Sequence, residues 1–553
     1  MARLLPGLDV REAKPVSDLD AILLRRRVDR LVEPWEAPGT PGIAIGVVRD
    51  GALVLHRCAG LASLELGVPV GPGTCFRIAS VSKQFTCAAI HLLAAEGRLD
   101  IEAEARSILG ELPDFGVPVT IAHLMHNTSG IRDMLEIMRQ GGVDLGHPIA
   151  QEDLLAGICR QRTLNFAPGS RYLYSNTGFL LLGLIVERIS GEALPAFLER
   201  RIFAPLGMNR TRMTPSLQEP APGLATGYLP KQGRWVRAPH AFPMGGEGGL
   251  VSCVEDLALW ERNFTTHRVG GAALAEALET QIEFTGGGRN SYACGLRAST
   301  HRGVRTLSHG GLWPGYKTEF LRAPEQGIAV ICISNHGGCD PYHLARDILD
   351  VMLDPLPGTR PVPRLPPRET LEAMAGRWLD RDSGMTLDIG LDEAGRPIGT
   401  THGVPFRLQP AWDGRLEASS AAADLFCAPA AGGTLAVELD AGVRATYHWV
   451  APGAALPEGL AGAYANAEIG ATWTIAPSKE GLEVRVRGPV ANNGGPWPVE
   501  AVAGDDIRIW IPGTLFKGWL DVRALRTGGR IAGLSVTGNR ARRLIYQRQP
   551  EAA

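Results

Sequence analysis

The sequence predicts an α+β domain built on an antiparallel sheet, followed by two small antiparallel β-barrel units. Three observations carry this expectation. Strand-like runs open the first part of the chain and return from about residue 306, with a long helical stretch between them. A proline-rich segment then changes the composition. Beyond it the chain becomes short alternating strands with Gly and Asp turns, in a pattern that repeats once.

The first pair of strands lies in "GIAIGVVRDGALVLHRCAG", where Asp50-Gly51 splits two β-rich runs and signals a hairpin. A helical region follows from Ser80 to about residue 210. Within it, "SNTGFLLLGLIVERISG" predicts a helix from Asn176 that stops at Gly191. Strands return in "TLSHGG", "YKTEFLRA" and "GIAVICISN". "DPLPGTRPVPRLPPR" holds Pro355, Pro357, Pro361, Pro363, Pro366 and Pro367 and predicts a stiff, extended linker. The repeat shows in "LEAMAGRWLDRDSGMTLDI" and "LPEGLAGAYANAEIGATWTI", which share Ala-Gly-x-aromatic at Ala375–Trp378 and Ala461–Tyr464. The expected boundaries are a catalytic unit at 1–354, a linker at 355–369 and β-units at 370–452 and 453–553.

Composition excludes several function classes. A length of 553 residues suits three or four domains at ~150 residues each. A net charge of −2 offers no general attraction to nucleic acid or to an anionic membrane. No run of ~18 apolar residues predicts a membrane span. The opening "MARLLPGLDVREAKPVSDLD" has too short an apolar patch for a signal peptide. Nine cysteines without C-x-x-C pairs read as reduced and packed, which points to the cytoplasm. His123 and His126 read as structural, because no Cys/His set completes a metal site, and no cofactor is expected. The absence of G-x-S-x-G argues against an α/β-hydrolase.

The chemistry starts at "RIASVSKQFTCAAIHLLAAEG". Phe85, Ala88, Ala89, Leu92 and Leu93 recur at helical spacing and Gly97 supplies the stop. Ser80 and Lys83 then share one face of the first turn. Ser80 alone could be a helix cap. Lysine is scarce here, however, and no other lysine has a serine three residues before it. A lysine in an apolar helix can act as a base where arginine cannot. Two further motifs follow in order: Tyr174-Ser175-Asn176 in "GSRYLYSNTGF", and His309-Gly310-Gly311 in "TLSHGGLWPGYKTEF". "HLMHNTSG" and "GGEGGLVSCVEDLALW" stand between and around them.

Together these motifs resemble the serine penicillin-recognising family of penicillin-binding proteins, serine β-lactamases, D-peptidases and esterases. "ASVSKQFTCA", His-Gly-Gly in the third motif and two appended β-units resemble, more narrowly, the bacterial D-aminopeptidase family. That resemblance implies a penicillin-binding-type (β-lactamase-like) catalytic domain with two barrels. It also implies a serine hydrolase that removes an N-terminal D-residue from peptides, amides or esters through an acyl-enzyme. Ser80 would be the nucleophile, with Lys83 or Tyr174 as base. Asn176 would orient the lysine and the substrate, and the N–H groups of Ser80 and Leu312 would hold the oxyanion. His309 and Gly310 stand where carboxypeptidases carry Lys-Thr, so the carboxylate anchor is weakened, although a protonated His309 would replace part of it. Glu247 is either the anion for a free α-amine or a solvated loop charge. The Gly- and Pro-rich loop 487–498, with Asn493, Gly494, Gly495 and Trp497, would roof the cleft, Trp497 serving as an apolar anchor on another domain.

The implied partners are small D-amino-acid peptides, amides or esters, with inhibition by β-lactams and a homodimer as further options, and neither nucleic acid nor membrane. A D-amino-acid amidase, D-peptidase or esterase of the same fold is the alternative within enzymes. A non-catalytic β-lactam-binding or interaction protein is the alternative outside them.

Overall fold

The computed structural model describes residues 18–550 except 215, 217, 218, 240–243, 355, 357, 420–423, 440, 441 and 516. The N-terminal segment read for a signal peptide, up to residue 17, and two of the linker prolines lie outside the described residues.

The first unit is built on a six-stranded antiparallel sheet. Its order is Arg297–His301, Val304–Trp313, Tyr316–Ala323, Ile328–Ser334, Ile43–Arg49 and Ala52–Ala59. The Asp50-Gly51 turn forms as expected, with both residues at positive φ (49° and 76°). Side-chain alternation divides the strand Ile43–Arg49 between two cores. Ile43, Ile45 and Val47 pack with Val28 of the helix Asp18–Val32 and Leu344 and Ile348 of the helix Pro341–Leu353. Ala44 and Val48 face the larger core around Phe85, Phe179 and Trp260. A strand covered on both faces explains the continuous apolar run. The helix predicted after Tyr174 spans Asn176–Ser190 and ends on Gly191 at φ 76°.

The second unit is a nine-stranded antiparallel sheet. Its two edge strands, Val404–Arg407 and Gln409–Pro410, are separated in the chain by Leu408 alone. A single residue spans only ~3.5 Å, so the edges must meet and the sheet curls into a nearly closed barrel. The third unit is a closed barrel of eight strands from Gly462 to Arg548. Trp473, Trp497, Tyr464 and Tyr546 fill its core.

The repeat has a structural meaning. Gly376 and Gly462 adopt φ 141° and 147°, which favours glycine. The aromatics that follow tie back to the chain four residues earlier: Trp378 Nε1–H donates to Met374 O (2.9 Å) and Tyr464 O–H to Leu460 O (2.8 Å). No described helix is long and apolar enough to cross a membrane.

Polar clusters join the units. Between the second and third, the fully buried Arg508 donates to Asp388 Oδ1 and Oδ2 (2.7 and 2.8 Å), and Thr386 Oγ1 donates to Asp521 Oδ1 (2.6 Å). Between the first and third, Glu468 accepts from Thr163 and Arg132. Trp473 Nε1–H donates to Gln140 O at 3.0 Å.

Candidate active site

Ser80 sits in the tight turn Ala79–Ser82 that leads into the helix Lys83–Ala95. Ala79, directly before it, has φ 46°, a strained conformation for a residue with a Cβ. The strand Val304–Trp313 runs beside this turn. A Cβ on Gly311 would stand 2.2 Å from Ile78 O, so only glycine lets the two backbones approach this closely. Trp313 pairs with Tyr316 across the two-residue turn Pro314-Gly315. Antiparallel alternation then turns the N–H groups of Gly310 and Leu312 away from the strand Tyr316–Ala323, past the last pair with Arg297. The Leu312 N–H is thereby directed to the side on which Ser80 lies.

Three oxygens surround the Lys83 amine: Ser80 Oγ at 3.1 Å, Asn176 Oδ1 at 2.9 Å and Glu247 O at 2.6 Å. Two of them are carbonyls that only accept, so they hold two N–H groups of the lysine. In the neutral amine the lone pair is left facing Ser80. Lys83 is fully buried. That desolvation pushes its pKa down to about 7, against the upward pull of the Glu247 carboxyl and with help from Arg540. Tyr174 O–H donates to Ser80 Oγ at 2.7 Å. Burial raises the Tyr174 pKa, so it stays protonated.

Second contacts fix these groups. Asp133, the N-cap of the helix Met134–Gln140, accepts from Asn176 N (2.8 Å) and Nδ2 (3.0 Å). This settles the amide orientation and turns Asn176 Oδ1 toward Lys83. In the "HNTSG" segment, Asn127 Oδ1 accepts from Ser175 N at 3.0 Å. In the "GGEGG" segment, Gly246 O accepts from Thr86 Oγ1 at 2.7 Å, and a Cβ on Gly246 would stand 2.6 Å from Phe179 O. Tyr292 and His309 complete the wall. His309 Nδ1 lies 2.7 Å from Gly310 O, a pure acceptor, so Nδ1 carries the proton and Nε2 accepts from Tyr292 O–H at 2.9 Å. The His309 ring stands 5.9 Å from that of Tyr174.

Ser80 opens into a cavity of about 190 Å³ to which all three units contribute. Asp133, Glu136, Arg139, Tyr174, Asn176 and Leu312 come from the first unit, His402 and Val404 from the second, and Lys517, Asn539 and Arg540 from the third. Arg540 stands 4.6 Å over the Tyr174 ring and 4.0 Å from Asp133. Its carbonyl is held by Asn165 Nδ2 at 3.2 Å, and Asp133 N donates to it at 3.2 Å.

The structure thus brings Ser80, Lys83, Tyr174, Asn176, His309, Gly310, Gly311 and Leu312 together. Three expectations are corrected. Burial pushes His309 down to about 3, so it is neutral and supplies no cation. Glu247 is not a solvated loop charge: its side chain is fully buried, accepts from Gly245 N, and burial raises its pKa. It lies behind Lys83 rather than on the cavity wall. The loop 487–498 is not the roof. Asn492 and Asn493 N–H donate to Gly142 O (3.1 and 2.8 Å), and Asp144 N donates to Asn492 Oδ1 (2.6 Å), so the loop buttresses the 141–146 segment next to Leu145. Gly494 O accepts from Val486 N within the same unit. Trp497 is fully buried in its own barrel against Trp473, its ring N–H donating to Asn493 O. His126 packs at Cys294, and among the described residues no His/Cys/Asp/Glu group is arranged to hold a metal.

Comparison with known proteins agrees with this geometry. A model of the beta-lactamase family matches residues 24–352. A D-aminopeptidase of Cereibacter sphaeroides is 31% identical over 409 residues, covering 72% of this chain and 73% of its own. The octameric penicillin-binding protein homologue of Pyrococcus abyssi superposes with a TM-score of 0.52 at 22% identity, covering 96% of this chain and 100% of its own. The D-amino acid amidase of Ochrobactrum anthropi SV3 gives 0.52 at 22% identity, covering 60% and 99%. At such identities the two structures share the fold.

Proposed function

The chain belongs to the beta-lactamase family and to its D-aminopeptidase branch, and from that premise we propose that it hydrolyses the bond after an N-terminal D-amino acid through an acyl-enzyme on Ser80. The observation that carries the mechanism is Ser80 Oγ held between Lys83 Nζ (3.1 Å) and Tyr174 Oη (2.7 Å).

Neutral Lys83 accepts the Ser80 proton as Oγ attacks the substrate carbonyl, because both of its N–H groups are already committed to Asn176 and Glu247. Tyr174, held protonated by burial, donates toward the leaving nitrogen, and the ammonium of Lys83 can restore its proton. The N–H groups of Ser80 and Leu312 receive the oxyanion. Water then opens the ester by the reverse proton path. Asp133 and Glu136 are carboxylates on the cavity wall, and in this reading they, rather than Glu247, would face the substrate amine.

A D-amino-acid amidase or esterase would use the same groups. β-Lactams, with their activated ring amide, would compete for Ser80. Nine free thiols, among them the buried Cys75, Cys87, Cys253 and Cys294, support a cytoplasmic location. The test is hydrolysis of D-alanine p-nitroanilide beside its L-enantiomer and its N-acetylated form. Turnover of the D-form alone supports the reading. Preference for the L-form or for the acetylated form refutes it.

A further inference from the structure

The mechanism leaves part of the cavity wall unused. His402 lies in the turn between the strands Pro397–Thr401 and Val404–Arg407 of the second unit. It adopts φ 48°, a strained conformation for a side-chain-bearing residue. Its side chain is 2% exposed, it lines the cavity of Ser80, and neither ring nitrogen makes a hydrogen bond. Asp521 Oδ2 stands 3.7 Å from Nδ1, and the Trp519 backbone is near without reaching hydrogen-bond geometry. Burial pushes the pKa down to about 3, so the neutral ring offers one N–H and one lone pair.

Lys517 lines the same cavity from the third unit and is exposed. The backbones that carry the two residues adjoin. A Cβ on Gly403 would stand 2.4 Å from Gly518 Cα, and one on Gly518 would stand 2.0 Å from His402 O, so the two glycines let the segments touch. The other cations on the wall are engaged. Arg139 donates to Glu136, and Arg540 covers Tyr174 beside Asp133. Lys517 makes no hydrogen bond or ion pair with the described residues, so the spare positive charge of the cavity sits there, next to a buried hydrogen-bonding ring.

We propose that His402 and Lys517 form a subsite for the terminal carboxylate of the peptide segment that leaves Ser80. Lys517 supplies the charge and His402 an N–H. The inference rests on the peptidase reading above and narrows its substrates to short peptides with a free C-terminus. It also revises an expectation from the third motif. The carboxylate anchor lost with His309 and Gly310 returns, supplied by the two barrels.

The test is binding of D-alanylglycine and D-alanylglycinamide, which differ only in that carboxylate, to the full chain carrying Ser80→Ala. The acid should bind about 10-fold or more tighter than the amide, as expected for a charge-assisted hydrogen bond. Added Lys517→Gln should bring the ratio to within about 2-fold of unity, and added His402→Gly should reduce it several-fold. Glycine suits the backbone at 402, and His402→Asn, which also tolerates that conformation, is the second variant if the first fails to fold. Equal binding of acid and amide, or a ratio untouched by both substitutions, overturns the subsite. Turnover of the two dipeptides by the unmodified chain is a separate arm. If neither is hydrolysed, the peptidase reading falls, while the binding ratio still decides the subsite.

Discussion

Replacing Arg540 by methionine should move the acidic limb of the pH–rate profile upward. The limb reports the neutral fraction of Lys83, whose pKa is pushed down to about 7 by burial, with Arg540 adding to the depression. Lys83 Nζ is 4.8 Å and Arg540 Cζ 4.6 Å from the centroid of the Tyr174 ring. The two cations are therefore at most about 9 Å apart, and at an effective dielectric of ~20 they repel by about 1.8 kcal/mol, or roughly 1.3 pKa units. The Arg540 side chain is 23% exposed, and solvent screening reduces the expected shift to about 0.5–1 unit. Removing a cation favours the protonated amine, so the Lys83 pKa rises. Below the limb, kcat/KM normalised to each protein's own plateau should be about 3- to 10-fold lower for Arg540→Met than for the unmodified chain at the same pH. The assay is kcat/KM for D-alaninamide from pH 5 to 9, at constant ionic strength, for the unmodified chain, Arg540→Met and Arg540→Lys. The lysine variant should keep the limb near its original position. An unmoved limb in Arg540→Met, or one that moves to lower pH, would refute the electrostatic coupling between the third unit and the catalytic lysine.

Asn176→Ala removes one of the two carbonyls that aim the Lys83 lone pair and takes the Nδ2 donor from Asp133 Oδ2, leaving that oxygen only the backbone N–H of residue 176. We expect kcat to fall by about 10²–10³-fold with a smaller change in KM, measured by steady-state kinetics. Gly311→Ala would place a Cβ 2.2 Å from Ile78 O, forcing the strand from the Ser80 turn. It should cost about 1–3 kcal/mol in denaturant unfolding and more than ~100-fold in kcat. Trp497→Ala should destabilise the third barrel by about 3–5 kcal/mol, seen as a lower denaturation midpoint, because the ring is fully buried against Trp473. If Trp497 were instead an interdomain anchor, the barrel would unfold at an unchanged midpoint.

What the sequence made legible follows from the range of the interactions involved. The Asp50-Gly51 hairpin, the helix Asn176–Ser190 and the Ala-Gly-x-aromatic repeats are local: turn chemistry, periodicity and spacing specify each within a few residues. The groups proposed to be catalytic were legible because their motifs carry them in order, although they lie up to 229 residues apart (Ser80 to His309). The rest of the wall has no such signature. Asp133 could have been suspected as a helix cap after "HNTSG", but its pairing with Asn176 joins residues 43 apart. His402 and Arg540 sit in ordinary-looking turns, and only the packing of three units brings them to Ser80. Loop 487–498 misled for a physical reason. Glycine and proline mark irregular backbone but not the surface it meets, and this one meets Gly142 and Asp144. Trp497 belongs to the inward face of the strand Trp497–Ala503. Glu247 drew attention as a charge, whereas its contribution to Lys83 hydrogen bonding is its backbone carbonyl.

The central claim is that Ser80 carries a covalent acyl group during turnover. Its most direct test is rapid acid quench of the protein with D-alanine p-nitrophenyl ester, followed by intact mass and peptide mapping. The account predicts one alanyl group per chain, confined to the peptide that contains Ser80 and absent from Ser80→Ala, whose activity should be lower by several orders of magnitude, roughly 10⁴–10⁶. An adduct on another residue, or full activity in Ser80→Ala, would contradict it.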